Sequence, residues 1–322
     1  MSRRWLLRRL GFMLLVFFAA LVINFVIPRL MPAGAIDLYT KGAKLSPAAQ
    51  ESVIRKFGLD KSIWEQFWLY VVNIFRGEFG VSFFFYPTRV STLIFRALPW
   101  TLFLLISAEI CSVPIGYFLG VTAGWKAGSK TDSSIQAFSL FLLSTPLFWI
   151  GMILLFVFGY QLRWFPLSGA YTIAARYPNI FMQLFDYVRH AVLPILSLVT
   201  IFGVEQLIMR NTMVTTVREQ YVLIAKAKGQ TPTKVKFNHA ARNALLPLVT
   251  SIGLRFAMLV GGSVFVETVF SYPGIGKLIF NSVMNVDYPV LQAAFLIYSV
   301  TTIVVVFLLD VVYVYLDPRI RY

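Results

Sequence analysis

The stretch Gly124-Trp-Lys-Ala-Gly-Ser-Lys130-Thr131 has nearly the spacing of a phosphate-binding loop. In such a loop glycines let backbone N–H groups cradle a nucleotide's phosphates, and the lysine reaches them. The sixth position here is Ser129, where the pattern requires glycine, and the stretch lies between two apolar runs rather than after a buried strand. It makes no nucleotide site. The two histidines, His190 and His239, stand far apart without ligand-like neighbours. A lone cysteine, Cys111, permits neither a disulfide nor a cysteine metal site within the chain. No HExxH, GxSxG or paired-carboxylate spacing is present. The chain is therefore not expected to be catalytic by itself, nor to bind a cofactor.

Four ionisable residues interrupt apolar runs: Glu109, Glu205, Arg255 and Asp310. Charges at membrane depth are costly, so they pair or line a water-filled path. Glu205 and Arg255 are the candidates for either role: an intramembrane pair, or part of a substrate pathway. Four scattered groups are too few for a proton relay.

The elements that would hold these residues are membrane spans. Of 322 residues 58% are hydrophobic and only 13% charged, with a mean hydropathy of +0.73. Soluble domains carry about 25% charged residues. A spanning helix needs about 20 mostly apolar residues, and six stretches qualify: Leu10–Leu30, Pro99–Val121, Ile135–Tyr160, Ala191–Met209, Leu246–Phe270 and Val290–Leu316. The expected fold is thus all-α, a polytopic membrane protein with six transmembrane helices. The first stretch is too long for a signal peptide and reads as a retained helix. Prolines 114, 146 and 194 can kink their helices.

The net charge of +15 would suggest nucleic acid if it were spread evenly. It is not. With the N-terminus inside and six alternating spans, segments 1–9, 122–134, 210–245 and 317–322 hold 15 Lys/Arg in 64 positions. The outside segments hold 13 in 120. That bias puts both termini in the cytoplasm. Residues 1–30 form the N-terminal segment and first span, 31–98 an extracytoplasmic segment, and 99–322 the transmembrane core. In the extracytoplasmic segment Ser46-Pro47 can start a helix that Gly58 stops. Trp64, Phe67, Trp68, Val71, Val72 and Phe75 follow at helical spacing, suiting either the membrane interface or the outer ends of the spans. Small residues recur at every fourth position in Gly116/Gly120/Gly124 and in Gly253/Ala257/Gly261, which implies close helix packing, within or between subunits.

Between the fourth and fifth spans, Tyr221–Pro247 reads YVLIAKAKGQTPTKVKFNHAARNALLP, with five Lys/Arg, one His and no acid. A helix over Met213–Lys228 ends at Gly229. Thr231 and Pro232 then supply N-cap and N1 of a second short helix carrying Phe237, Ala241 and Ala244. Ala225, Ala227 and Gly229 leave a low-profile knob ringed by lysines, fit to seat on an acidic soluble partner. A loose helix-turn-helix spacing (Ala225, Gly229, Val235) falls in the same stretch. DNA reading needs a core of its own, however, and 210–245 offers only 36 residues. No nucleic-acid partner is expected.

These residues carry a resemblance. AKAKG followed by HAARNALLP resembles the EAA loop of ABC importer permeases in its peptide-family form. The likeness extends over WLLRRL…RLMP, RGEFGVS (76–82), RALPWTL (96–102), STPLFWIGMILL with WFPLSGAY, VGGSVFVETVFSYPGIG, DYPV and LDPRIR. The chain resembles the B-type permease of dipeptide, oligopeptide and nickel importers. Departures are Leu223 where the EAA glutamate would stand, MPAGA in place of APGDP, and the charges Glu205 and Arg255.

The resemblance implies a type I ABC importer permease with a second permease subunit, two ATPase subunits that bind ATP and Mg, and an extracytoplasmic substrate-binding protein. It also implies a cytoplasmic coupling loop at about 210–247 that docks on an ATPase. Tyr221, Ala225, Lys226, Ala227, Lys228, Gly229, His239, Arg242 and Asn243 match its motif. Cargo would be oligopeptides or similar-sized solutes, with oligosaccharides as the alternative. A self-sufficient secondary transporter and a membrane scaffold are the readings of other classes.

Overall fold

Apolar runs of this length satisfy their backbone groups only as helices in lipid, and helices are what the chain forms. The computed structural model describes residues 3–30, 55, 60–258 and 264–316. Among these the only β pairing is an isolated antiparallel bridge between Val81 and Arg89. The sequence motifs at Ser46-Pro47, Gly58 and 317–322 lie outside the described residues. By length and composition, three described helices can cross a bilayer unbroken, or five crossings result if each of two bent helix pairs is one span.

The chain divides into two compact units. The first comprises the described residues of Met1–Thr101, Ala257–Val264 and Pro273–Tyr322. Helix α1 (Arg3–Val26) runs antiparallel to α13 (Tyr288–Leu316). Arg9 pairs with Asp310 near one end, and Gln292 Nε2 donates to the Asn24 carbonyl at 3.1 Å near the other. Asp310, one of the four charges inside apolar runs, is thereby neutralised.

Helix α2 (Ile63–Phe75) is the expected aromatic helix. Phe67 meets Phe25 edge-on at 5.1 Å and Phe75 meets Phe17 at 6.3 Å, so α2 lies against α1 while Trp64 and Trp68 stay exposed. Arg29 ties the two together by donating to the Phe25 carbonyl at 2.8 Å and to Gln66 Oε1 at 3.1 Å. A capping box starts α2: Ser62 Oγ accepts from the Glu65 N–H, and the Glu65 carboxylate accepts from the Ser62 N–H and hydroxyl. Those Ser62 bonds hold the Glu65 carboxyl below its usual range.

A folded-state pKa that is depressed stabilises above the unfolded value, and the gain is lost as pH falls through the folded value. Protection of the first α2 amides from hydrogen exchange is therefore expected to fall as pH drops below about 4. Ser62→Ala should lower it roughly fivefold at neutral pH. Exchange measured on the detergent-solubilised protein checks both; protection independent of pH and of Ser62 would refute the cap.

A buried clamp closes the first unit. Asp287, fully buried at the start of α13, accepts from Ser82 Oγ, from the Phe83 N–H at 3.0 Å and from the Phe84 N–H at 3.3 Å. The clamp holds the 76–89 loop, which includes RGEFGVS, against a core of Val90, Ile94, Ile275, Ile279 and Leu291. Helix α12 (Ile275–Met284) joins that core, its first N–H donating to Thr101 Oγ1 at 2.7 Å.

Helix α3 (Val90–Trp125) contributes to both units. It starts nine residues before the expected span and passes Pro99 and Pro114 without a break. At 36 residues it is about 54 Å long, well over the ~30 Å hydrocarbon core.

In the second unit (Leu102–Phe256, Phe265–Tyr272) the expected third span is two helices. α4 (Lys130–Ser144) and α5 (Leu147–Leu154, continuing as a π-helix over Leu155–Gln161) meet at a 93° bend. Pro146 causes the break: it lacks the N–H that would bond the Leu142 carbonyl, which accepts from the Thr145 N–H at 3.2 Å instead, while Thr145 Oγ1 satisfies the Phe141 carbonyl at 2.8 Å. The expected fourth span likewise starts earlier and bends. α6 (Ile180–Val199) continues past Pro194 without interruption, and a 40° bend follows before α7 (Phe202–Thr216). Hydroxyl back-bonding from Ser197 and Thr200 to the Leu193 and Ser197 carbonyls accompanies that bend.

The glycine stripe of α3 is filled by α7 of the same chain. A Cβ on Gly120 would lie 2.6 Å from Met209 Cβ and 2.7 Å from the Gln206 carbonyl oxygen; one on Gly124 would lie 2.8 Å from that of Arg210. Of the second triplet, Gly253 is buried, whereas Gly261 lies outside the described residues. The expected fifth span runs from α10 (Leu246–Met258) to α11 (Val264–Val269) through residues that also lie outside them.

Candidate functional site

The basic segment folds as a capped helical hairpin, but not as one helix followed by another. α7 stops at Thr216, and α8 (Gln220–Ala227) begins after a turn at 217–219. The hydroxyls of Thr215 and Thr216 both donate to the Thr212 carbonyl, at 2.8 and 2.7 Å. Such back-bonding, in a β-branched run Thr-Thr-Val, ends the helix that hydrophobic spacing alone would continue to Lys228.

The far end of α8 is as expected. Gly229 adopts φ +71°, its N–H donates to the Lys226 carbonyl at 3.0 Å, and the Gln230 N–H reaches the Ala225 carbonyl at 3.4 Å. This is a Schellman cap, which needs the left-handed conformation that glycine takes without a steric cost. α9 (232–244) opens with Pro232 at its first position, is π-helical over Val235–Ala241, and returns to α-helix at Arg242–Ala244. Thr231 caps it with backbone only. His239 Nε2 and Gln230 Oε1, 2.7 Å apart, close the hairpin from inside.

Of the three small residues expected on the knob, Ala225 turns inward, whereas Ala227 and Gly229 are exposed. Ala225 is only 4% exposed and belongs, with Val222, to a core shared with Val121, Met209, Met213, Val235, Ala240, Ala241 and Leu248. At helical period the buried face of α8 is Val222 and Ala225; the opposite face is Leu223, Ile224 and Ala227, all exposed, with Tyr221, also exposed, at its flank and Lys228 and Gly229 at its end. Lys226 is anchored over the Trp125 ring, 5.1 Å from its centre. Arg242 and Asn243 are exposed on α9, where Asn243 Nδ2 donates to the His239 carbonyl at 3.3 Å. The exposed surface of the hairpin is therefore apolar in the middle and basic at the edge. Leu223 and Ile224 escaped sequence reasoning because their faces depend on the break at Val217.

The platform beneath is held by charges that composition did not reveal. Asp132, nearly fully buried, makes a bidentate pair with Arg210 (Nε 3.1 Å, Nη2 2.7 Å) and accepts from Gln136 Nε2 and the Gly128 N–H. The apparent phosphate-binding loop is thus the turn before α4, with Ser129 as its N-cap. Asp132 is the lone acid in 122–134, a signal available in the sequence. Lys236 Nζ donates to Thr122 Oγ1 at 3.2 Å; burial, and then the nearby Lys126, pull its ammonium below the usual lysine range.

Where α3, α7 and α10 meet, Arg255 Nη2 contacts Glu205 and also Glu109 Oε2 at 3.0 Å. Glu109 was the third member that pairwise reasoning left aside. Among the described residues no group of three His, Cys, Asp or Glu side chains is placed to hold a metal ion.

Apolar helices of spanning length, a basic hairpin with an exposed apolar face, and ionisable groups gathered between helices mark a mostly helical, multi-pass membrane protein of the transporter class. A family model described as "Binding-protein-dependent transport system inner membrane component" matches residues 112–322, and its N-terminal counterpart matches 1–105. The chain belongs to this family of ABC importer permeases. It is 34% identical to the di/tripeptide transport system permease protein DppB of Pseudomonas aeruginosa over 98% of each chain. It is 34% identical to the oligopeptide transport system permease protein AppB of Bacillus subtilis over 99% of each, and 32% identical to the glutathione transport system permease protein GsiC of Escherichia coli over 99% of each.

Proposed function

We propose that this chain is one of two unlike permease subunits of an ATP-driven importer of short peptides in a prokaryotic cell membrane. It crosses the membrane six times with both termini in the cytoplasm. The observation that carries the cargo is full-length similarity to permeases named for di/tripeptides, oligopeptides and glutathione. On that ground peptides are preferred to oligosaccharides, and the secondary-transporter and scaffold readings are left without support. The orientation is supported by the basic bias of the inside segments and by the antiparallel α1–α13 pair, whose Arg9–Asp310 contact brings the start of one helix beside the end of the other.

An extracytoplasmic binding protein delivers cargo, and ATP and Mg are held by two partner ATPase subunits. The α8–α9 hairpin is the coupling element. The exposed face of Leu223, Ile224 and Ala227 seats in an ATPase groove with Tyr221 at its flank, and Lys228 and Arg242 meet its acidic rim. ATP-driven closure of the ATPase pair would carry two such hairpins together and shift the spans between inward- and outward-open states, a coupling that requires different contacts in each.

Cysteines introduced singly at Ile224 and at Ala225 separate this reading from a merely topological role for the basic loop. In the assembled complex, Ile224→Cys is expected to cross-link to an ATPase subunit with a yield that ATP changes. Ala225→Cys, pointing into the permease core, is expected to cross-link at least tenfold less, since only surface-exposed thiols reach a partner. A hairpin that forms no cross-link from Ile224 in an intact complex would not be the coupling element.

A further inference from the structure

Among the described residues, most charge pairs are one to one. The Asp132–Arg210 pair uses both arms of the guanidinium, as planar carboxylate–guanidinium pairing favours. The cluster on α3, α7 and α10 is built differently. Glu109 and Glu205 both address the same nitrogen of Arg255, which leaves one negative charge over when both are ionised. Glu205 is fully buried, yet its Oε2 has no hydrogen-bond partner, and neither have Nε and Nη1 of Arg255. The next residue, Gln206, is also fully buried with both amide atoms unpartnered. Removing one carboxylate would serve stability better, because an uncompensated buried charge is strongly unfavourable.

The cluster is also not sealed. Side chains of Glu109 and Arg255 keep 13% and 17% of their surface accessible. Charged surface facing hydrocarbon is costly at this depth, whereas a water-filled path receives it readily. On the reading of this chain as half of a peptide pathway, the open edge of the cluster faces that path.

We infer that the Glu109–Arg255–Glu205 cluster is a cargo-contact point on the pathway, whose surplus carboxylate receives the protonated α-amino group of a passing peptide. The inference rests on the peptide reading above. An ammonium brings one positive charge and three donors, and the partly accessible Glu109 carboxylate, which gives only Oε2 to Arg255, keeps an oxygen to accept one of them. Free peptide amino groups are mostly protonated at pH 7. Acetylating the amine removes both the charge and two of the donors.

The test uses the complete transporter in proteoliposomes at pH 7, with trialanine or N-acetyl-trialanine at concentrations that saturate the binding protein. Uptake is counted per loaded binding protein, so that selection at delivery drops out. Trialanine is expected to cross roughly tenfold faster in the wild type, the scale of discrimination an unbalanced charge supplies at a partly wet site. Glu109→Gln and Glu205→Gln each leave a one-to-one pair with Arg255 and are expected to bring the ratio close to one. Equal passage of the two probes by the wild-type complex overturns the inference even if neither variant assembles. A tenfold ratio that survives both variants overturns it as well, leaving the peptide reading intact. A complex that hydrolyses ATP yet takes up neither probe would remove the peptide reading itself.

Discussion

Gly120→Val is expected to abolish accumulation of the folded chain, with a destabilisation of about 3–5 kcal/mol. The reason is that the obstruction at Gly120 is backbone. An added Cβ meets the Gln206 carbonyl oxygen at 2.7 Å and Met209 Cβ at 2.6 Å, and neither is the free end of a flexible side chain. α3 and α7 would have to separate along their whole contact, because Gly116 and Gly124 sit at the same close approach one turn to either side. In lipid the contact has no hydrophobic driving force to fall back on, so close van der Waals packing carries most of the association. Gly11 is the matched control: it also lies within a spanning helix, and a Cβ there meets nothing within 4 Å. Gly11→Val should be tolerated within about 0.5 kcal/mol. Membrane yield and thermal unfolding in detergent decide between them; equal behaviour of the two variants would contradict the α3–α7 packing.

That stripe was legible in the sequence because its spacing is a property of one helix. So were the aromatic spacing of α2, the Gly229 stop and the Pro232 start, each set by residues within a few positions of one another. What the sequence did not disclose depended on a second element. Val222 and Ala225 turn inward because α9 lies beside them, and no periodicity within 213–228 predicts the break at Val217 that sets their face. Spans drawn by hydropathy came out straight because hydropathy is blind to angle. Pro146 did mark its break, whereas Pro194 did not, since the bend in that pair falls later, at the hydroxyl-bonded turn beyond Val199. The role of Glu109 was hidden for the same reason: its partner Arg255 is 146 residues away.

Asp132 teaches the same lesson from the polar side and carries the second large effect. Asp132→Ala is expected to cost about 3 kcal/mol, the low end of the range for breaking a buried ion pair. The low end applies because Arg210 keeps 21% of its side-chain surface accessible and can turn toward water, whereas Asp132 at 2% could not survive the opposite deletion as easily. Arg210→Ala should therefore be the more damaging of the two single changes. It strands a carboxylate that still holds the Gly128 N–H and Gln136 but has lost its paired guanidinium. Replacing both, as Asp132→Ala with Arg210→Ala, removes the stranded charge and should cost about 2 kcal/mol less than the two single losses added together, which is the coupling energy of the double-mutant cycle. Thermal unfolding of the four proteins measures it. The consequence for transport follows from position: the pair ties the 126–129 turn and α4 to α7, six residues before α7 ends and ten before α8 begins. A hairpin pushed by an ATPase can move the spans only if that platform is stiff. Uptake should accordingly fall further in the Asp132→Ala complex than ATP hydrolysis does, whereas a purely structural pair would lower both in proportion to the folded protein.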